Sequence, residues 1–372
     1  MKWCASCVLP DTRPDLQIGP DGICNACRTH ARRTDIDWDA RAQAFQAVAT
    51  RAKARATSYD CLIPVSGGKD STWQVVTCLE HGLRPLAVTW RPPGRTAIGQ
   101  RNLDNLISLG VDHIDYSFNP KVERAFMLKA FERFGTPALP MHMGVYNMPL
   151  TLAHRFDIPL VIWGENSADE YGSSDDAARG FELTETWLNR HGVTHGTGPK
   201  DWIDNELSER DLTPYFRPRG EELVAKGIAG IFLGYYFPWD PEISLDVASR
   251  HGFERDPAGP KTGLYDYADI DDDFISVHHH IKWYKFGFTR LFDNLALEIR
   301  NGRMTRAEAI ATIRERGDQT PHDDIERFCA FLEIDRQRFN GIVEKFRNHE
   351  IWHRHNGVWK IDGFLIPDWT WS

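Results

Sequence analysis

Short apolar runs alternate with longer stretches whose apolar residues recur at helical spacing. The runs lie at residues 61–65, 85–90, 111–118, 158–163 and 228–237. Each is bounded by polar or turn-forming residues, as a strand buried on both faces requires. Between them, residues 36–57 place Trp38, Phe45 and Val48 on one helical face. The segment after Lys69 does the same with Trp73, Val76 and Leu79. Residues 100–109 and 121–134 also read as helices. Strand and helix in alternation predict an α/β fold with a doubly wound parallel sheet. Ligands in such sheets sit at the carboxyl ends of the strands.

From Pro241 onward the pattern is helical. Residues 271–300 form one long helical stretch interrupted at Gly287. Thr305 and Glu308 make a capping box that opens another helix, and amphipathic segments follow at 325–332 and 339–346. An aromatic tail carrying Trp352, Trp359, Trp369 and Trp371 is expected to dock on the body. Three units follow: residues 1–35, 36–240 and 241–372.

The first unit lacks a core pattern and has cysteines instead. Cys4 and Cys7, then Cys24 and Cys27, form two C-x-x-C knuckles with 16 residues between them. That spacing predicts a four-thiolate structural zinc site. The intervening loop, with Pro10, Pro14, Gly19, Pro20 and Gly22, can bury little by itself, so the metal is expected to hold it. A closed four-cysteine site leaves no open position for chemistry.

Charge and composition narrow the function classes. The 372 residues carry a net charge of −9, which disfavours a broad nucleic-acid surface. No apolar stretch approaches the roughly 20 residues of a membrane helix, and the first residues turn polar too early for a signal peptide. A cytoplasmic location is expected, where cysteines serve as metal ligands or core residues.

The densest chemistry follows the first strand. Val65, Ser66, Gly67, Gly68, Lys69, Asp70, Ser71 and Thr72 form a strand–turn–helix corner. Its glycines let backbone approach a ligand, and its helix N-terminus and Lys69 attract anions. Two residues between Ser66 and Lys69 exclude the G-x-x-x-x-G-K-[ST] loop. A second cluster leaves the strand at 158–163: Glu165, Asn166, Asp169 and Glu170 could hold magnesium, orient ammonia or bond a sugar. Lys285 and Arg290 flank Gly287 as anion binders, with Gly287 letting the helix backbone come close. His278, His279 and His280 are adjacent on a helix and point in different directions, which favours packing over metal binding.

SGGKDS resembles the pyrophosphate loop of the PP-loop ATP pyrophosphatases, whose fold is of the adenine nucleotide alpha hydrolase type. With both knuckles, PVSGGKDS, IPLVIWGENSADEYG, KFGFTR and IRNGRMTR in that order, the chain resembles the N-acetyl sugar amidotransferases of O-antigen lipopolysaccharide and flagellin glycan synthesis. The resemblance implies ATP- and magnesium-dependent conversion of the acetamido group of a nucleotide sugar, UDP-linked, to an acetamidino group. Lys69, Asp70 and Glu165 would be catalytic, and residues 65–72 would hold ATP. Asn166, Asp169, Glu170, Lys285 and Arg290 would bind substrate. Cys61, Cys78 and Cys329 lack the context of a glutaminase nucleophile. Either free ammonia serves or a partner makes it, and the resemblance implies a separate glutaminase and a barrel-like ammonia-channelling subunit. Two rival readings are a tRNA-thiolating PP-loop enzyme and a zinc-stabilised ATP-binding scaffold.

Overall fold

The computed structural model describes residues 1–170, 180–317, 319–369 and 371; the side chains of residues 168 and 169 lie outside it as well. The chain opens with helices α1 (Asn25–Ala31) and α2 (Trp38–Arg55). The sheet unit then runs β1 (Cys61–Pro64), α3 (Lys69–Glu80), β2 (Pro85–Trp90), α4 (Ala97–Ile107), β3 (Asp112–Tyr116), α5 (Pro120–Phe134), α6 (Leu139–Phe156) and β4 (Leu160–Trp163). Short helices α7 (Ser167–Glu170), α8 (Glu185–His191) and α9 (Gly220–Ala225) precede β5 (Ala229–Phe232).

The five strands are parallel in the order β3-β2-β1-β4-β5, so the winding reverses between β1 and β4. Alternation of side chains sorts the core onto two faces. Leu62, Leu86, Val88 and Val161 pack with α5 and α6, whereas Cys61, Ile63, Ala87 and Ile162 pack with α2, α3 and α4.

α6 is absent from the sequence expectation. Its eighteen residues are apolar on most faces and include Pro149, so no amphipathic stripe marks it. Burial on several sides overrides the proline, and α6 becomes one wall of the site. α4 starts three residues earlier than expected because the Thr96 side chain caps it, accepting from the Gly99 N–H.

The remaining helices are α10 (Pro241–Arg250), α11 (Asp273–Phe286), α12 (Arg290–Arg300), α13 (Arg306–Arg316), α14 (His322–Leu332) and α15 (Arg336–Lys345). They lead to a hairpin of β6 (Trp352–His355) and β7 (Val358–Ile361). The cysteine module packs here rather than on the sheet. Val8, Leu9 and Leu16 share one core with Trp283, Phe292, Trp352 and Phe364. Trp352, Trp369 and Trp371 surround Trp283 with ring centroids 4.9, 5.4 and 5.5 Å away, which accounts for the aromatic tail. Among the described residues, no helix is long and apolar enough to cross a membrane.

Candidate active site

β1 ends at Pro64 and the backbone turns at once. Gly67 has φ +90°, and a Cβ there would lie 2.6 Å from the Leu103 backbone nitrogen, so only glycine fits. The Ser66 N–H donates to Ser71 Oγ at 3.0 Å and the Gly68 N–H to Ser66 Oγ at 3.2 Å, which locks the turn. Gly68 is the N-cap of α3 and brings no capping side chain. The first-turn N–H groups are thus left for a ligand, on the positive end of a twelve-residue helix.

Lys69 is 6% exposed and faces this end. Its ammonium donates to both Asp70 oxygens, at 2.7 and 2.6 Å. The indole N–H of Trp239, beyond β5, donates to Asp70 Oδ1 at 2.9 Å. Lys69 Nζ also lies 5.5 Å from the Trp239 ring centroid and 5.9 Å from that of Tyr267.

These groups border a polar chamber of about 230 Å³ whose walls include Lys69, Asp70, Glu165, Asp269, Asp271 and Arg290. Burial, then the Asp70 charge, pushes the Glu165 carboxyl up to about 7. Burial also raises that of Asp271. Arg290 donates from Nε to Asp269 Oδ2 at 3.0 Å.

A second, mostly apolar chamber of about 270 Å³ shares Ser66, Asp269 and Asp271 with the first. Trp90, Met141, Val145, Met148 and Trp163 line it, so α6 supplies much of its wall. Two of its lining residues bury an unpartnered polar atom: Gln74 Oε1 and Trp163 Nε1. A ligand with both donors and acceptors would satisfy such orphans. Arg95 also lines it, held by Asp115 through bonds of 2.7 and 2.8 Å.

The segment carrying Asp269 and Asp271 was missed in the sequence. Tyr265, Tyr267, Asp269 and Asp271 precede α11 and lie across the first corner of the sheet. The run DIDDD invites reading as a helix cap, and Asp272 does cap α11. The remaining signal is backbone: Asp269 has φ +58°, unusual outside glycine.

Other expected site residues have partners within the protein. Asn166 is buried, its Oδ1 accepting from the Trp187 indole at 3.1 Å and its Nδ2 donating to the Gly180 carbonyl at 3.3 Å. Glu170 is buried against Arg33, which reaches both its oxygens at 3.1 Å and also the Trp239 carbonyl. Both tie neighbouring segments together. The Asp169 side chain lies outside the described residues. Lys285 does not join Arg290 over the Lys69 chamber; it donates to the Phe134 carbonyl at 2.8 Å and Thr136 Oγ1 at 3.3 Å. Gly287 ends α11 with φ +70°, and a Cβ there would meet Met1, Ile361 and Ile351. Its freedom serves packing of the chain's two ends rather than the approach of a ligand.

The four knuckle sulfurs lie within 4.8 Å of one another and all four cysteines are buried. The Cys7 and Cys24 sulfurs are 3.8 Å apart, the edge of about 3.8 Å that a tetrahedron with zinc–sulfur bonds of about 2.3 Å has. The N–H groups of Cys7 and Cys24 donate to Cys4 Sγ at 3.4 and 3.3 Å, and that of Cys27 to Cys24 Sγ at 3.4 Å. Such donors suit thiolates, so the residues fit a structural zinc ion. Among the described residues this is the one group of three or more metal-ligating side chains so closely gathered.

Among solved structures, the chain is similar to an NMN synthetase from Francisella tularensis, at 13% identity over 80% of this chain and 94% of that one, with a TM-score of 0.34. It is also similar to a predicted subunit of tRNA methyltransferase from Methanocaldococcus jannaschii, at 15% identity over 51% and 73% of the two chains, with a TM-score of 0.27. Both likenesses are loose. No curated protein matches the chain. The family model described as LPS biosynthesis protein WbpG-like, C-terminal domain, matches residues 263–363. The part of the chain that brings Asp269, Asp271 and Arg290 to the chamber beside Lys69 is thus similar to the C-terminal domain of WbpG-like lipopolysaccharide biosynthesis proteins.

Proposed function

We propose that the protein is an ATP-dependent, AMP-forming amidotransferase of lipopolysaccharide synthesis that turns the acetamido group of a nucleotide sugar into an acetamidino group. The observation that carries this reading is one chamber in which a helix N-terminus and Lys69 meet Glu165, Asp271 and Arg290. The WbpG-like match over residues 263–363 supports the pathway, and a cytoplasmic location goes with it.

An acetamido oxygen is a poor leaving group. In the proposed reaction it attacks the α-phosphorus of ATP, the bond to the β-phosphate oxygen breaks, and pyrophosphate leaves. The first-turn N–H groups and Lys69 stabilise the charge that builds on the departing pyrophosphate. The apolar chamber, with an unpartnered donor at Trp163 and acceptor at Gln74, suits the purine. Ammonia then adds to the activated carbon, AMP leaves with the oxygen, and the nitrogen gives up a proton. Glu165, poised near neutrality, is suited to accept it.

Magnesium would neutralise phosphate oxygens. Asp70, Glu165 and Asp271 do not form a preassembled cage, which fits an ion bound through one or two carboxylates plus substrate phosphates. Cys61 and Cys78 are fully buried in the core, Cys61 with its thiol pushed far up by burial, so neither suits sulfur transfer or glutamine hydrolysis. Ammonia would then come from a separate glutaminase through a barrel-like channelling subunit, or from solution.

Incubation with UDP-N-acetyl sugars, ATP, magnesium and ammonium should yield a product lighter by about one mass unit, as oxygen is exchanged for NH, with AMP and pyrophosphate in equal amounts. ATP hydrolysis that leaves every sugar unchanged would sink the reading. With free ammonia held constant, activity should rise as pH passes about 7, because Glu165 accepts a proton only when ionised. Glu165→Gln should lower the rate and abolish that limb. An unaltered pH profile in this variant would remove Glu165 from the mechanism.

A further inference from the structure

A third chamber, of about 450 Å³, lies where the start of α6, helices α8, α11 and α12 and the loop between the cysteine knuckles meet. Its walls carry Arg13, Arg190, Lys282, Lys285 and Arg290. Among its described lining residues are two carboxylates, Asp15 and Asp293, and Arg290 is paired with Asp269 from outside the chamber. Asp293 is shared by Arg13 at 3.0 Å and Lys282 at 3.1 Å. The chain as a whole is acidic, with a net charge of −9, so five cations gathered around one chamber are a local feature.

Lys285 stands apart within the group. Its ammonium bonds two neutral oxygens, those of Phe134 and Thr136, and among the described residues no carboxylate lies within ion-pair distance. Burial lowers its pKa to about 8. A cation withdrawn from water without a counter-charge is costly, and an anionic ligand would supply that charge. In the same wall His278 buries Nδ1 without a partner. The volume is in the range of small-molecule sites and generous for a lone phosphate. Arg290 lines both this chamber and the one beside Lys69, and Ser167 here is two residues on from Glu165 there.

We propose that this chamber binds the diphosphate of a nucleotide sugar, with Lys285 as a principal contact and with the sugar directed past Arg290 toward Glu165. The inference rests on the amidotransferase reading and gives that reading's second substrate a place distinct from ATP. Lys285 thus belongs to substrate recognition, and the Arg13 loop gives the cysteine module a share in it.

Isothermal titration of the full chain with UDP-N-acetylglucosamine, inorganic pyrophosphate and a non-hydrolysable ATP analogue tests it. Lys285→Met should weaken UDP-N-acetylglucosamine by about tenfold or more and change the ATP analogue by less than about twofold. Lys69→Ala should do the reverse. Arg190→Ala, at an exposed position, should also weaken the sugar nucleotide selectively, so the outcome does not hang on one buried substitution. Unchanged affinity for the sugar nucleotide in both chamber variants would overturn the proposal. So would Lys285-dependent binding of pyrophosphate without binding of the sugar nucleotide, or equal loss of both nucleotides in Lys285→Met. An ATP analogue that fails to bind the wild type would instead defeat the adenylation reading, while the sugar-nucleotide titrations would still judge the chamber.

Discussion

Lys69→Ala should cost roughly 100- to 1000-fold in turnover while the chain stays folded. Removing one preorganised donor from a developing negative charge costs about 2.7–4 kcal/mol, which converts to that range. The fold should survive because the partner left behind, Asp70, is partly exposed and keeps its bond from the Trp239 indole. Asp70→Asn should have a comparable effect on turnover. It preserves shape but takes away the carboxylate that both pairs with Lys69 and can face magnesium. Circular dichroism and melting temperature beside pyrophosphate release would separate the two consequences. Near-wild-type release from either variant would remove this corner from the chemistry.

Loss of the metal should have the largest effect on stability. The protein as purified should carry about one zinc per chain, and chelation or Cys24→Ser should lower the melting temperature steeply. Binding of a structural zinc by such ligands is worth about 10–16 kcal/mol. Burying Val8, Leu9 and Leu16 contributes only about 1.5–3 kcal/mol each. The thiolates therefore dominate the module. Affinity for ATP should fall less than stability does, because no cysteine of the module borders the chambers at Ser66. Affinity for the sugar nucleotide should fall with it, since Arg13 sits between the knuckles. A metal-free preparation with an unchanged melting temperature would refute the structural role.

What could be read from the sequence follows the distance over which each feature is determined. The corner at 65–72 is local: an apolar run, two glycines and a helix start suffice to place Lys69 and Asp70. The knuckles are legible because four thiols at that spacing have few other uses. The loop bearing Asp269 and Asp271 meets Ser66 from some 200 residues away, and only tertiary structure brings the two together. α6 escaped because helices apolar on most faces lose their period. Asn166 and Glu170 mark a different limit. Polar residues at a strand's carboxyl end can be spent on Trp187 or Arg33 as readily as on a ligand, and the chain's spelling does not distinguish these uses. Lys285 follows the same logic: its neighbours in sequence suggest that it joins Arg290 beside Lys69, but the two share the other chamber, and only Arg290 reaches the one at Lys69.

The shared core of the first and last residues has a consequence during synthesis. The Trp3 ring lies 5.4 Å from that of Phe364, and its indole N–H donates to the Gly363 carbonyl. When residues 1–35 leave the ribosome, the surfaces that will cover Val8, Leu9 and Leu16 are more than two hundred residues from being made. The sheet can assemble in the interval, as N-terminal portions of large chains commonly do. The knuckle module must instead wait, exposed to proteases and to other nascent chains, and closing so long a loop slows the final step. Early capture of zinc would hold the two knuckles together through that wait. Cells starved of zinc should therefore accumulate degraded nascent chains of this protein rather than a folded, inactive enzyme.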